Sequence, residues 1–304
     1  MSRVAFLGTP EAALPTLRSV AAMHEVPVVI TQPDRPRGRG RQVTPPPVKI
    51  EAEGLGLRVT QPTTHNELRQ TLESVEGLDV AVVVAYGRIL RPEALSIPGA
   101  GMLNVHFSLL PRWRGAAPVS RALMSGDPMT GVTILRLDEG LDTGPVITAQ
   151  AVDIDDEETA GELTSRLAEL GARLMTEVIT PYLDGTREPM PQSDEGLTYA
   201  SKIEPHERVV RVDGRRIEEA NRVRALSPDP GATLVIDGER HQVLQARAHE
   251  MAPEIGRWMD VEGVPVAGLS DGGMELVTLL PAGKREMSGG SWLRGRRRSS
   301  GTIA

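Results

Sequence analysis

The chain has 304 residues, 34 Lys and Arg against 41 Asp and Glu, a net charge of −7 and no cysteine. That length favours two domains, because single cores stop growing at about 250–300 residues. The missing cysteine excludes disulfides, zinc–thiolate sites and thiol catalysis and fits a reducing cytoplasm, and no run approaches the ~20 apolar residues of a membrane helix or the pattern of a secretory leader.

Arg3–Leu7 is a short apolar run closed by Gly8 and is predicted as a strand. Glu11–Met23 has helical apolar spacing, with Pro10 near its start. Val26–Thr31 is β-branched and reads as a second strand. Gln32–Pro47 is rich in Pro, Gly and Arg, has no periodicity, and is expected to be an extended loop. A helix can begin at Lys49–Glu53. Asp79–Tyr86 is apolar without alternation, as in a strand of a parallel sheet buried on both faces. Met102–Phe107 and Val132–Leu137 are further strands. Glu157–Leu183 places Leu163, Leu167, Leu170, Leu174 and Val178 at helical spacing. Strands alternating with helices predict a parallel α/β sheet over residues 1–183.

Asp184–His206 is polar and turn-rich and reads as a linker, with a second domain over 207–304. That domain opens with a helix at Arg215–Ala225. Short alternating strands follow at Ala232–Ile236, His241–Ala246, Val264–Leu269 and Met274–Leu280, which predict a small antiparallel barrel or sandwich. From Leu293 the sequence is basic and Ser/Gly-rich, and its last residues are expected to be disordered.

The densest group of reactive side chains is Asn104, His106 and Asp142. On a strand, residues two apart face the same side, so Asn104 and His106 share one patch near the strand's carboxyl end, where open α/β sheets bind ligands. Asp142 lies in the turn-rich stretch Asp138–Gly144 and is expected to fold back onto His106. An imidazole can take a proton near neutral pH, a carboxylate can stabilise the resulting imidazolium, and a carboxamide can hydrogen-bond a developing oxyanion. Such a group needs no Ser or Cys nucleophile if the substrate brings an amine. A plainer reading stands beside it, with Asn104 closing a turn, His106 a satisfied core histidine and Asp142 capping a loop.

Gly8-Thr9-Pro10 begins like a nucleotide-binding turn, but Pro10 stands where the second glycine of a dinucleotide fingerprint belongs and removes an amide. An oxidoreductase is therefore disfavoured, and a tight strand-to-helix turn is the expected role of Gly8. In Gln32–Pro47, Arg35, Arg37, Arg39 and Arg41 face a single acid, Asp34. A local cationic segment on an acidic protein suits a polyanion; the alternative is a solvated loop.

At Ser108–Pro118 the sequence reads SLLPRWRGAAP, after Asn104 and His106 and before GLDTG at Gly140–Gly144. These motifs resemble the methionyl-tRNA formyltransferase family, within the wider folate-dependent formyltransferase group. GTP at Gly8–Pro10, TQPDRPRGRG at Thr31–Gly40, VVVAYGRILRPEAL at Val82–Leu95 and TYASKI at Thr198–Ile203 extend the likeness over most of residues 1–210. Two departures are Ala12, where the family often has Phe, and Asp229 in SPDPGA, where many members carry Trp. The resemblance implies a Rossmann-like parallel-sheet catalytic domain followed by a small β-barrel of oligonucleotide-binding type. It implies 10-formyltetrahydrofolate as donor, methionyl initiator tRNA as acceptor, no metal, no membrane, a cytoplasmic setting and a monomer. It places the catalytic trio on Asn104, His106 and Asp142. The folate site falls on Val84, Ala85, Tyr86, Gly87, Arg88, Ile89, Ser108, Leu109, Leu110, Pro111, Asp138 and Leu141. Arg35, Arg37, Arg39 and Arg41 would contact the tRNA acceptor stem. The alternatives are a formyltransferase acting on an amino-sugar nucleotide or purine precursor, a formylfolate hydrolase, and a non-catalytic RNA-binding module that kept the fold.

Overall fold

The computed structural model describes residues 1–37, 42–296 and 298–304, with Arg37 described by its backbone alone. The chain forms two compact units. The first takes Met1–Gly115, Gly131–Val152 and Thr164–Tyr199, and the second Ala116–Thr130, Asp153–Leu163 and Ala200–Ala304. Among the described residues, no helix is long and apolar enough to cross a membrane.

The first unit is built on a seven-stranded sheet. Its strands are β1 (Val4–Gly8), β2 (Val29–Ile30), β3 (Val59–Thr60), β4 (Val80–Val84), β5 (Met102–His106), β6 (Met129–Arg136) and β7 (Val146–Asp153), in the order β7-β6-β5-β4-β1-β2-β3. The pairs from β3 to β5 are parallel, and β5 and β6 are antiparallel. A parallel sheet carrying antiparallel strands at one side is a common α/β arrangement. Every residue of β1 and β4 is buried, as expected of central parallel strands. β1 hands over to the next element through close contacts. A Cβ on Gly8 would lie 2.8 Å from the Phe6 ring and 2.9 Å from the Ala13 Cβ, so Gly8 serves close packing here.

The helices α1 (Leu14–Met23), α2 (Pro47–Gly54), α3 (His65–Glu73) and α4 (Pro92–Leu95) connect these strands. At the start of α3, Thr64 Oγ1 accepts from Glu67 N at 3.1 Å, while Glu67 Oε2 accepts from Thr63 N at 2.7 Å. Thr64, the N-cap, thus satisfies one of the helix's first donors. After α5 (Pro118–Met124), the 24-residue α6 (Ala160–Leu183) buries Leu163, Leu167, Leu170, Leu174 and Val178, the stripe read from the sequence.

The stretch expected to be an extended loop is ordered where it is described. Arg35–Arg37 pairs antiparallel with Gln42–Thr44, in the register Arg35 to Thr44 and Arg37 to Gln42. A two-stranded ribbon has only edge strands, which tolerate Pro36.

The second unit joins α7 (Arg216–Leu226) to a sheet made of β8 (Ala232–Ile236), β9 (Glu239–His249), β10 (Arg257–Val261), β11 (Val264–Leu269), β12 (Gly272–Pro281), β13 (Met287–Ser288) and β14 (Ser300–Thr302), with α8 (Gly289–Arg294) before the last strand. The order is β8-β9-β12-β11-β10-β14, and β13 pairs with β12. Two-residue turns with positive φ, Asp237-Gly238 and Glu262-Gly263, join β8 to β9 and β10 to β11. Such turns match the twist of paired strands. The sheet closes on itself, because Ile236 bridges Ile303 and Val235 exchanges hydrogen bonds with Ala304. The expectation of a disordered tail is therefore corrected: Ser300–Thr302 pairs with β10 and Ile303 is buried. Trp258 and Trp292 meet edge to face at 5.0 Å inside this barrel, and each indole N–H has a partner, Asp237 for Trp258 and His241 Nε2 for Trp292.

Candidate active site

Asn104 and His106 are alternate residues of β5, Asn104 half-buried and His106 only 5% exposed. His106 Nε2 lies 2.9 Å from the Trp113 carbonyl oxygen. A carbonyl can only accept, so Nε2 carries the hydrogen and Nδ1 is the basic nitrogen. The backbone carbonyl of Trp113 therefore sets the tautomer. Nδ1 faces Asp142, whose Oδ2 is 3.7 Å away. That is beyond hydrogen-bond range, yet close enough for strong charge attraction once the ring is protonated. The Asn104 carboxamide makes no hydrogen bond to other described residues.

Asp142 reaches this position by a reversal of the chain. Because β6 runs antiparallel to β5, the loop that follows begins beside Met102, where Leu137 N donates to Met102 O at 2.8 Å. Asp138 Oδ1 then accepts from Gly140 N at 3.0 Å and Thr143 Oγ1 at 2.7 Å, which tightens the turn. A Cβ at Gly140 would collide with Thr143 Oγ1, and one at Gly144 with the Arg136 carbonyl. These contacts account for the glycines of GLDTG. Asp142 itself has φ of 53°, and its Oδ2 accepts from Gly115 N at 2.9 Å.

The segment after β5 is held as firmly. Ser108 is fully buried, with Oγ donating to Arg112 O at 2.6 Å. Thr133 Oγ1 donates to Ser108 O at 2.7 Å and accepts from Leu110 N at 3.2 Å. Trp113, at φ of 65°, donates its N–H to Thr198 Oγ1 at 2.9 Å, and Arg114 N donates to Thr198 O at 3.0 Å.

The residues assigned to folate by resemblance fall on three loops. Val84 is fully buried at the end of β4. After it the chain turns through positive φ at Ala85 (45°) and Gly87 (82°). Tyr86 points inward, and burial raises its phenol above the ordinary range against the opposing charge of Arg88. Arg88 donates to the carbonyls of Pro62 and Thr63, both at 2.8 Å. Ile89 and Leu141 are 81% and 58% exposed, so each presents an apolar side chain outward, while Leu109, Leu110 and Pro111 are half-buried and Asp138 is exposed. Of the four arginines, Arg35 is exposed; Arg39, Arg41 and the side chain of Arg37 lie outside the described residues. Asp34 is bound by Lys49 and Gln61. Lys49 Nζ donates to both its oxygens at 2.8 and 3.0 Å and Gln61 Nε2 to one at 2.7 Å, and these bonds, Lys49 first, hold its carboxyl below the usual range.

Three participants were not found from sequence. The Trp113 carbonyl and the Gly115 N–H are backbone groups, which no residue identity announces. Gln192 lies in the stretch read as a linker, and its side chain reaches Arg114 and the loop around Asp142.

Residues 2–179 match the family described as Formyl transferase, and residues 202–297 match Formyl transferase, C-terminal domain. The methionyl-tRNA formyltransferase of Halorhodospira halophila is 46% identical over 303 residues, covering 97% of both chains. That of Jannaschia sp. is 42% identical over 304 residues, covering 99% of both. Among solved structures, the sugar 3N-formyl transferase WlaRD superposes with a TM-score of 0.68 at 16% identity, over 94% of this chain and 99% of that one. HypX from Aquifex aeolicus, solved with tetrahydrofolic acid, gives 0.67 at 18% identity, over 96% of this chain and 46% of that one. Those two likenesses concern the fold. Matched along nearly its whole length by relatives above 40% identity, the chain belongs to the methionyl-tRNA formyltransferase family.

Proposed function

We propose that the protein transfers the formyl group of 10-formyltetrahydrofolate to the α-amino group of methionyl initiator tRNA, for translation initiation. The observation that carries this reading is the pairing of His106 Nδ1 with Asp142 in a chain 46% identical to a methionyl-tRNA formyltransferase. Asn104, His106 and Asp142 are the proposed catalytic residues. The neutral amine attacks the formyl carbon, a C–N bond forms, and the carbonyl electron pair moves onto oxygen. Asn104 donates a hydrogen bond to that oxygen. His106 Nδ1 takes the proton leaving the new ammonium, and Asp142 stabilises the imidazolium. Collapse breaks the bond from the formyl carbon to N10 of the folate, and His106 returns the proton to N10. No acyl-enzyme forms, because the substrate supplies the nucleophile.

The folate is assigned to Val84–Ile89, Ser108–Pro111, Asp138 and Leu141. The exposed Ile89 and Leu141 suit a flat aromatic donor. Arg35, Arg37, Arg39 and Arg41 are assigned to the phosphates of the acceptor stem, where contacts position an RNA without reading its bases. A monomer acting in the cytoplasm completes the proposal. The test is transfer of labelled formyl from 10-formyltetrahydrofolate to Met-tRNA, with uncharged tRNA and free methionine as controls and His106→Ala as the variant expected to be inactive. Equal labelling of free methionine, or no transfer at all, would sink the proposal.

A further inference from the structure

Three consecutive residues hold both members of the His106–Asp142 pair. The Trp113 carbonyl holds His106 Nε2, and the Gly115 N–H holds the Asp142 carboxylate. Arg114, between them, is 6% exposed and turns its guanidinium onto Gln192. Its Nε and Nη2 both donate to Gln192 Oε1, at 3.0 and 2.7 Å. With the oxygen so engaged, the amide nitrogen can face only the other way. There Gln192 Nε2 donates to two carbonyls of the Asp142 loop, Asp142 O at 2.8 Å and Gly144 O at 2.7 Å.

We propose that Gln192 is a positioning residue that sets Asp142 against His106 by binding the backbone of the Asp142 loop, with Arg114 fixing the direction of its amide. The inference rests on the proposed catalytic role of Asp142. Asp142 sits at φ of 53°, a conformation that non-glycine residues rarely adopt and that persists only where the surroundings impose it. The Gly115 N–H constrains only the carboxylate. Two donors from one rigid amide constrain the backbone that carries it, so side chain and main chain of Asp142 are both referenced to residues 113–115. Gln suits the task because it accepts from Arg114 on one side and donates twice on the other.

Gln192→Glu separates this role from a strut for Arg114. It keeps an acceptor for the guanidinium, and strengthens it, but replaces the two donors by an oxygen facing two carbonyls. The expected result, in the full chain, is a fall in kcat of about 10- to 100-fold, the cost of a displacement on the scale of 1 Å. The KM for each substrate should stay within about twofold of wild type, and the pH–rate profile should change toward that of Asp142→Asn. In the double variant Asp142→Asn/Gln192→Glu the second change should add little, because both act through one carboxylate. Gln192→Met, which removes donors and acceptor without adding charge, should reproduce the kcat loss; it guards against a folding defect of the glutamate variant. If Asp142→Asn is impaired while Gln192→Glu keeps wild-type kcat and profile, whatever Gln192→Met does, the positioning role is wrong and the role of Asp142 stands. Additive losses in the double variant overturn it as well. If Asp142→Asn itself behaves as wild type, the role of Asp142 falls, and this inference with it.

Discussion

Asp142→Asn removes one charge and almost nothing else. The asparagine oxygen can still accept from Gly115 N, now at 2.9 Å from Asp142 Oδ2, so the loop keeps its anchor. What is lost is an anion 3.7 Å from His106 Nδ1. Two unit charges at that separation attract by roughly 1 kcal/mol in water and about 4.5 kcal/mol at an effective dielectric constant near 20. His106 is almost wholly buried, which places the interaction toward the upper part of that range. An imidazolium destabilised by about 1–4 kcal/mol lowers kcat/KM by roughly 5- to 1,000-fold if proton transfer to His106 lies on the reaction path. The Asn variant should therefore transfer labelled formyl far more slowly at neutral pH, and its pH–rate profile should move toward lower pH. The assay is the initial rate of formyl-Met-tRNA formation across pH, with circular dichroism to confirm the fold. An unchanged rate and an unchanged profile would show that Asp142 is only the acceptor for Gly115 and caps its loop.

Asn104→Asp puts an anion where the developing oxyanion needs a donor, and should cost at least about 3–4 kcal/mol in kcat; a rise in KM with kcat intact would make Asn104 a binding residue. Arg39→Gln with Arg41→Gln should raise the KM for Met-tRNA, leave that for the folate nearly unchanged, and flatten the salt dependence by about 0.7–0.9 per lost phosphate contact. No change in either quantity means a solvated loop. In the second unit, hydrogen bonds from Arg121, at 2.6 and 2.9 Å, push the Glu207 carboxyl from 4.5 down to about 2. A depressed folded-state value means stabilisation that is complete above the unfolded value and lost as pH falls from about 4.5 through 2, worth a few kcal/mol at most. Glu207→Gln should flatten acid unfolding in that window, and an identical acid limb in denaturant titrations of the two proteins would count against the assignment.

Where one element decides its own burial, the sequence was legible. Val80–Val84 needed only its lack of alternation to be read as a central strand, and α6 only its apolar stripe. The juxtaposition of Asn104 with His106 followed from strand geometry, and the return of Asp142 from the turn formers around it. What escaped depends on partners distant in sequence or on atoms common to every residue. The strand Val146–Asp153 has a single buried residue and carries no clean alternation. The short ribbon Arg35–Arg37 with Gln42–Thr44 is polar on both strands, and its Pro and Gly argue locally for a loop. The Ser300–Thr302 strand looks like a tail until Trp258 and Met259 are beside it. Gln192 sits in a run of turn-forming residues, where one amide looks like any other.

The closure of the barrel has a consequence for the order in which the second unit is made. Ile236 opens the sheet and Ile303 seals it, and 67 positions separate the two in the chain (303 less 236). During synthesis the hairpins joined by Asp237-Gly238 and Glu262-Gly263 can form as soon as they emerge, since their pairings are local. The seam cannot form until residues 300–304 are available, and contacts so remote in sequence form slowly. Until then the Val235–Ile236 end of β8 and the outer side of β10 lack their partners and can pair with another chain. Residues 300–304 thus decide whether these two strand segments are paired or adhesive.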